Sequence, residues 1–237
     1  MRRRTPGVLN ADELLDPRLV YDESARAAEV VRVLEPIVTP KRRARILEVI
    51  GKRLSSVAIL FDAPHDPHNG AAVIRSCEAF GVQTLHVVER IERFLAAASV
   101  ARSAEQWVDV MCHPTPNGAA EAIARAELTM VAAHPEGELL PEDLAKIPRV
   151  AIVLGNERDG ITEDLAARCT QRVRVPMRGF VESLNVSVTA AILLASATRG
   201  RAGDLDEEAR TRLYARGLYY SIPRAGDVLR ELGIGAD

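Results

Sequence analysis

Apolar positions in this chain follow two different periods. Between residues 55 and 200, short β-branched runs alternate with stretches of helical spacing. Outside that region the apolar positions are sparser and fall at helical spacing only. The run at 57–61 is apolar without a break, which predicts a strand buried on both faces. Comparable runs at 84–88, 107–111, 128–133, 149–154 and 172–175 predict further strands. Helices are expected at 70–80, 91–102, 118–126, 163–168 and 183–198, with Gly81 as the stop signal after the first. Short apolar strands separated by helices predict an α/β fold, a parallel sheet with helices on both faces.

The two ends read differently. Residues 1–40 are punctuated by Pro6, Pro17, Pro36 and Pro40, with a helix expected at 24–34. A second helix is expected at 40–54. Pro40 suits its first position, and Ile46, Leu47, Ile50 and Leu54 share one face. Residues 199–205 form a turn or linker, and 206–216 predict a charged helix. Leu218-Tyr219-Tyr220 is placed to dock on the main body or on a partner. The expected division is an N-terminal helical extension at 1–54, the α/β domain at 55–200 and a C-terminal helical extension at 201–237.

Composition narrows this picture. Of 237 residues, 47% are hydrophobic and only 4% aromatic, so a sizeable core of aliphatic side chains is expected. No apolar run is long enough to span a membrane, so no membrane partner is expected. The opening Met-Arg-Arg-Arg is followed by a polar, acidic stretch and not by the apolar segment of a signal peptide. Cys77, Cys112 and Cys169 are odd in number and lack metal-ligand spacing, which suits reduced thiols in a cytoplasmic protein. His65 and His68 are joined by no carboxylate or cysteine cluster and read as loop histidines, so no metal is predicted. The net charge of −2 does not mark a nucleic-acid binder. Locally, however, Lys41, Arg42, Arg43, Arg45, Lys52 and Arg53 face a single acid, Glu48. That segment is either a solvated face or a surface for phosphates.

Three stretches carry candidate chemistry: residues 68–75, 153–160 and 175–188. Each sets polar side chains among small residues that let a backbone come close. Ser183, Asn185 and Ser187 together at a helix start exceed what a core connection needs. Gly155 ends a strand, at the edge where open α/β sheets gather ligands. Gly155, Gly160 and Gly179 permit tight turns or close approach, or are ordinary loop glycines. Asn69 is expected at or just before a helix start, either capping it or binding ribose and phosphate. Arg75 emerges from a helix of small and apolar residues, where a surface ion pair is the alternative reading. No G-x-G-x-x-G fingerprint is present, which argues against a Rossmann nucleotide site.

The order and content of these stretches resemble the SpoU/TrmH family of RNA ribose 2′-O-methyltransferases, of the SPOUT class. The motif N-x-x-A-x-x-R followed by F-G is matched from Asn69 through Arg75 to Phe80-Gly81. L-G-x-E-x-x-G is matched by Leu154, Gly155, Glu157 and Gly160. I-P-M, a spacer and S-L-N-V-S are matched from Val175-Pro176-Met177 to Ser183-Leu184-Asn185-Val186-Ser187, with Val175 in place of isoleucine. The resemblance covers roughly residues 41 to 200. It implies a C-terminal trefoil knot, which true chain topology almost never shows, and a homodimer. It implies S-adenosylmethionine as methyl donor, held by Ala133, Leu154, Gly155, Val175, Met177 and Leu184. Catalytic roles fall to Arg75, Asn69, Glu157, Ser183 and Asn185, and RNA contacts to Arg42, Arg43, Arg45 and His68. Within the family the chain is most similar to the group that methylates guanosine 18 in the tRNA D-loop. That likeness extends to Asp66-Pro67-His68-Asn69, Gln106-Trp107-Val108, Arg212-Leu213-Tyr214 and Gly217-Leu218-Tyr219. A ribosomal RNA 2′-O-methyltransferase and a non-catalytic RNA-binding module are the alternatives.

Overall fold

The apolar run after Arg53 becomes one long strand, Leu54–Asp62, in which every residue but Ser55 is buried. A strand of this kind needs a neighbour on each side and a cover on each face. The computed structural model, which describes residues 8–10, 24–89, 94–101, 103–156 and 158–234, supplies them. Its elements in chain order are β1 (Val8–Asn10), α1 (Ser24–Leu34), α2 (Pro40–Ile50), β2 (Leu54–Asp62), α3 (Pro67–Ala79), β3 (Val82–Val88), β4 (Leu95–Ala97), α4 (Ala98–Ala101), β5 (Asp109–His113), α5 (Pro116–Arg125), β6 (Thr129–Ala133), β7 (Val150–Leu154), α6 (Glu163–Ala166), β8 (Gln171–Val173), α7 (Val186–Ala197), α8 (Glu207–Tyr219) and α9 (Ala225–Glu231).

The described residues fall into two compact units. The first comprises Ser55–Arg201 with residues 8–10. Its core is a six-stranded parallel sheet in the order β5-β3-β2-β7-β6-β8. Phe61 lies opposite Leu154, Ala132 opposite Val153 and Ala133 opposite Val173, so β2, β7, β6 and β8 end level with one another. Ala58 and Leu60 of β2 and Ala151 and Val153 of β7 share an apolar cluster with Ala119, Ala120 and Ile123 of α5. The alternate residues Val57, Ile59, Phe61 and Ile152 are also fully buried, so both faces of the sheet are covered. The α7 helix packs on α3, on β7 and on the 3-10 turn Pro141–Lys146. Its C-terminal end is tied down by Arg201, whose guanidinium donates to the carbonyls of Leu144, Ile147 and Pro148.

The second unit comprises residues 24–54 and 202–234. Here α8 packs on both α1 and α2, and α9 packs on α1. Helix contact is close at Gly217, where a Cβ would stand 2.6 Å from Cγ2 of Ile46. Tyr214 is buried and donates from its hydroxyl to Oε1 of Glu35 at 2.8 Å.

Several elements differ from the pattern-based expectation. The 40–54 helix ends at Ile50, and Leu54 is the first residue of β2. Only Ile46 and Ile50 of the expected apolar face are buried in that helix, while Leu47 is 52% exposed. Within 91–102, residues 91–93 and 102 lie outside the described residues. Residues 95–97 form a strand paired antiparallel with 8–10 instead of a helix. The partner is a distant segment, and local spacing carries no trace of it. Helix α9 was not expected.

Candidate functional site

The parallel sheet sends the loops after β6, β7 and β8 to one edge, the carboxyl edge that favours ligand binding in open α/β sheets. Those loops and the start of α7 enclose a cavity of about 820 Å³. That is within the range of small-molecule sites. Its apolar wall includes Ala133, Leu154, Ile161, Val175, Met177 and Leu184. Polar groups enter from Asn156, Asp159, Ser183 and Asn185. All six residues expected around a methyl donor therefore meet here, with two of the five expected in catalysis.

The loop after β7 is built from within. A Cβ on Gly155 would lie 2.2 Å from the carbonyl carbon of Gly160 and 2.5 Å from the nitrogen of Ile161. The loop folds back on its own backbone there, and only glycine fits. Asn156 closes the turn: its backbone exchanges hydrogen bonds with Gly160 in both directions. Its Oδ1 accepts from the backbone N–H of Arg158 at 2.9 Å and of Asp159 at 2.8 Å. Its Nδ2 is buried without a partner among the described residues, a spare donor on a residue that lines the cavity. Asp62, fully buried at the end of β2, anchors the far side. Its Oδ2 accepts from Thr162 N at 2.7 Å and Thr162 Oγ1 at 2.9 Å. Glu157 lies outside the described residues.

The stretch before α7 meets α3 through a polar contact. Asn185 is the N-cap of α7; its Oδ1 accepts from Ser187 N at 2.8 Å and Ser187 Oγ at 2.6 Å. Its Nδ2 donates to Oδ1 of Asn69 at 3.0 Å. Two sequence motifs 116 residues apart are thus joined side chain to side chain. Residues 183–185, expected inside the helix, precede it and face the cavity. Asn69, expected at or before a helix start, lies inside α3 and is buried. Asp66 is the cap instead, accepting from His68 N at 2.8 Å, and Pro67 is the first helical residue.

Ala133 was expected to form a third wall; its continuation into His134 and Pro135 was not. After β6 the chain turns at 134–139 and runs beside β8. His134 N donates to Val173 O, Leu139 N to Arg172 O and Arg174 N to Leu139 O. Arg172 N donates to Oε1 of Glu138, which holds that carboxyl below its usual range. His134 and Pro135 line the cavity. The signal was His134-Pro135-Glu136-Gly137, a turn composition.

Comparison with known proteins fixes the family. Residues 56–195 match the model described as the SpoU rRNA Methylase family. The chain belongs to the SpoU methylase family. It is 33% identical over 165 residues to the tRNA (guanosine(18)-2'-O)-methyltransferase of Escherichia coli K12, covering 69% of this chain and 72% of that one. The fold matches the A. aeolicus TrmH/SpoU tRNA modifying enzyme with a TM-score of 0.69 and 24% identity, over 81% of this chain and all of the other. It also matches the SpoU methyltransferase AviRb from Streptomyces viridochromogenes in complex with the cofactor AdoMet, with a TM-score of 0.54 and 24% identity, over 65% of this chain and 60% of that one.

Within this SpoU region, Arg75 and His68 are exposed and absent from the cavity lining. Six residues of helix separate Arg75 from Asn69, about 9 Å of rise and more than one and a half turns, so the two leave α3 on different faces. No hydrogen bond or ion pair engages the Arg75 guanidinium among the described residues. The basic helix α2 lies outside the SpoU match and is partly neutralised. Arg45 and Lys52 both pair with Glu48, at 2.8 and 2.7 Å. Hydrogen bonds from Lys52 and then Arg45 pull the Glu48 carboxyl down to about 2. Arg43 lies 3.7 Å from Glu35, and Arg53 is buried. Arg42 is held by a neutral group, its Nε donating to Ser221 Oγ at 2.9 Å, and so keeps its charge exposed.

Proposed function

We propose that this SpoU family protein transfers a methyl group from S-adenosylmethionine to the ribose 2′-hydroxyl of RNA, with guanosine 18 of the tRNA D-loop as target. The observation that carries the reading is the cavity itself. Residues from the second and third family motifs line it, and Asn185 ties it to Asn69 of the first. The residues present suit the donor: aliphatic walls for a flat base, with a spare buried donor on Asn156. The bound donor supplies an electrophilic methyl carried on a positive sulfur.

The ribose oxygen forms a bond to that carbon as the bond to sulfur breaks, and the hydroxyl proton leaves to solvent. Aligning the two reactants supplies much of the rate. Ser183 and Asn185, at the mouth of the cavity, orient the sugar. The Asn69–Asn185 bond holds α3 against that mouth. Arg75 is assigned a phosphate clamp that also favours the developing negative oxygen. Glu157 is assigned to loop or substrate contacts, and Arg42, Arg43, Arg45 and His68 to RNA phosphates. A homodimer belongs to the same proposal, with each cavity completed near the partner copy. The absence of Arg75 from the lining of its own cavity supports this. So does Val188 of α7, 46% exposed. A C-terminal trefoil knot is proposed on the family fold alone. Ribosomal RNA is the second reading, supported by the description of the matching family.

The test offers unmodified tRNA and ribosomal RNA with labelled donor and maps the methylated nucleotide. Label is expected at guanosine 18 of tRNA, and label on ribosomal RNA alone would move the substrate to the second reading. Arg75→Ala should lower methyl transfer about 100-fold or more, with calorimetric donor affinity unchanged. Equal loss of donor affinity would give Arg75 a structural role. A wild type that shows no heat with the donor would mean an RNA-binding module without catalysis. Sedimentation should give a dimer near twice 25.8 kDa, and an active monomer would remove that part.

A further inference from the structure

The loop between β8 and α7 presents a side chain that the fold does not use. The chain has four phenylalanines. Phe61 and Phe94 are buried at 0% and 2% exposure, and Phe80 is 36% exposed. Phe180 is 109% exposed, as open as a side chain on an extended peptide, and Val181 beside it is 60% exposed. Phe180 sits between Met177 and Glu182, both of which line the cavity. Among the described residues, 175–184 make no backbone–backbone hydrogen bond. A Cβ on Gly179 would meet nothing within 4 Å. The middle of the loop, residues 178–183, is therefore exposed, and its aromatic ring contributes nothing to the core.

We propose that Phe180 is a stacking platform for an unpaired nucleobase of the RNA substrate, presented beside the donor cavity; the proposal rests on the RNA-methylating reading above. Three arginines, Arg172, Arg174 and Arg178, are exposed along residues 172–182 against a single acid, Glu182. Arg178 makes no ion pair or hydrogen bond among the described residues. The Arg174 guanidinium donates to the Gly137 carbonyl, but Arg178, two residues from the ring, is left open. An open aromatic ring beside such a guanidinium suits single-stranded RNA, whose bases stack while its phosphates seek cations. A second copy of this chain suits the loop less well, because a two-fold contact through it would set the same arginines against each other. Phenylalanine has no polar group with which to read a base edge. The contact strengthens binding without choosing the base, and the choice is left to other groups.

The experiment compares Phe180→Ala, Phe180→Leu, Phe180→Tyr and Phe180→Trp with wild type. It reads affinity for an unmodified tRNA transcript, methyl transfer, donor affinity and sedimentation. Loss of stacking should weaken RNA affinity about 10-fold or more in the alanine and leucine variants. Tyrosine and tryptophan should restore it, and the new indole should be quenched on RNA binding. Donor affinity and sedimentation should not change. Wild-type RNA affinity in the alanine and leucine variants would overturn the proposal. So would rescue by leucine together with dissociation of the alanine variant, which would make the patch a contact between copies. Wild-type protein that transfers no methyl group removes the enzymatic reading alone; the binding and quenching measurements still decide the stacking.

Discussion

Two loops bound the same cavity and are held in opposite ways. The 155–162 loop is closed by its own chemistry: Gly155 against the Gly160 backbone, Asn156 across the turn, and Asp62 on Thr162. The 174–185 loop has almost no internal ties until Asn185 caps α7. The first loop is shaped before anything binds: Asn156 Oδ1 and the Thr162 N–H and hydroxyl are engaged within the protein, which leaves Asn156 Nδ2 as its spare donor. The second keeps its apolar and cationic groups open. Similar motif density in sequence thus conceals two tasks, scaffold and contact. Substitutions separate them, because scaffold changes damage stability and binding together while contact changes damage binding alone.

Gly155→Val should have the largest effect. Its Cβ has no space that is not already backbone, so the loop must open. A cost of about 3 kcal/mol follows from forcing an overpacked contact of this kind. Donor binding measured by calorimetry should disappear and the thermal midpoint should fall. A variant that folds with wild-type stability and binds the donor normally would show that the loop is not the rigid side of the comparison.

Asp62→Ala should come next. It removes two hydrogen bonds accepted by a buried carboxylate and leaves the Thr162 N–H without that partner. Charge-assisted bonds in a dry site suggest a loss of about 2–3 kcal/mol. Urea unfolding measures the stability directly, and a donor titration reports whether the cavity follows. Unchanged stability would mean that Thr162 is held by the chain around it and not by Asp62.

The contrast also explains what could be read from sequence. The sheet was legible because β2, β6 and β7 are continuous apolar runs, and buried parallel strands require that pattern. The meeting of Leu154, Val175, Met177 and Leu184 was legible through the motifs, whose loops share one sheet edge. Asp62 was not, since an acid after an apolar strand reads as an ordinary strand end. Its role depends on Thr162, a hydrogen-bond partner 100 residues away. Asn69 was misplaced for a similar reason. Both Asp66 and Asn69 are good caps, and Pro67 at the first helical position decides between them. The β4 strand was lost because its partner is residues 8–10. The basic helix showed its charges in sequence but not their pairing: Glu48 takes two of them, and Arg53 goes inside.

Gly179→Ala should have the smallest effect on the fold, and it is the sharpest test of the second loop. A glycine in a family motif invites the same explanation as Gly155, a place where no Cβ fits. The geometry says otherwise. Nothing stands within 4 Å of a Cβ at Gly179, and its backbone is not in the left-handed region that would strain alanine. Stability should therefore change by no more than about 0.5 kcal/mol, the usual range for an exposed substitution. Whether function changes is the informative part. If the loop is a contact surface, the space beside Gly179 is reserved for something that binds there, and RNA affinity or methyl transfer should fall while the thermal midpoint stays. If stability falls with binding, the loop is ordered by contacts of its own and the distinction between the two loops fails.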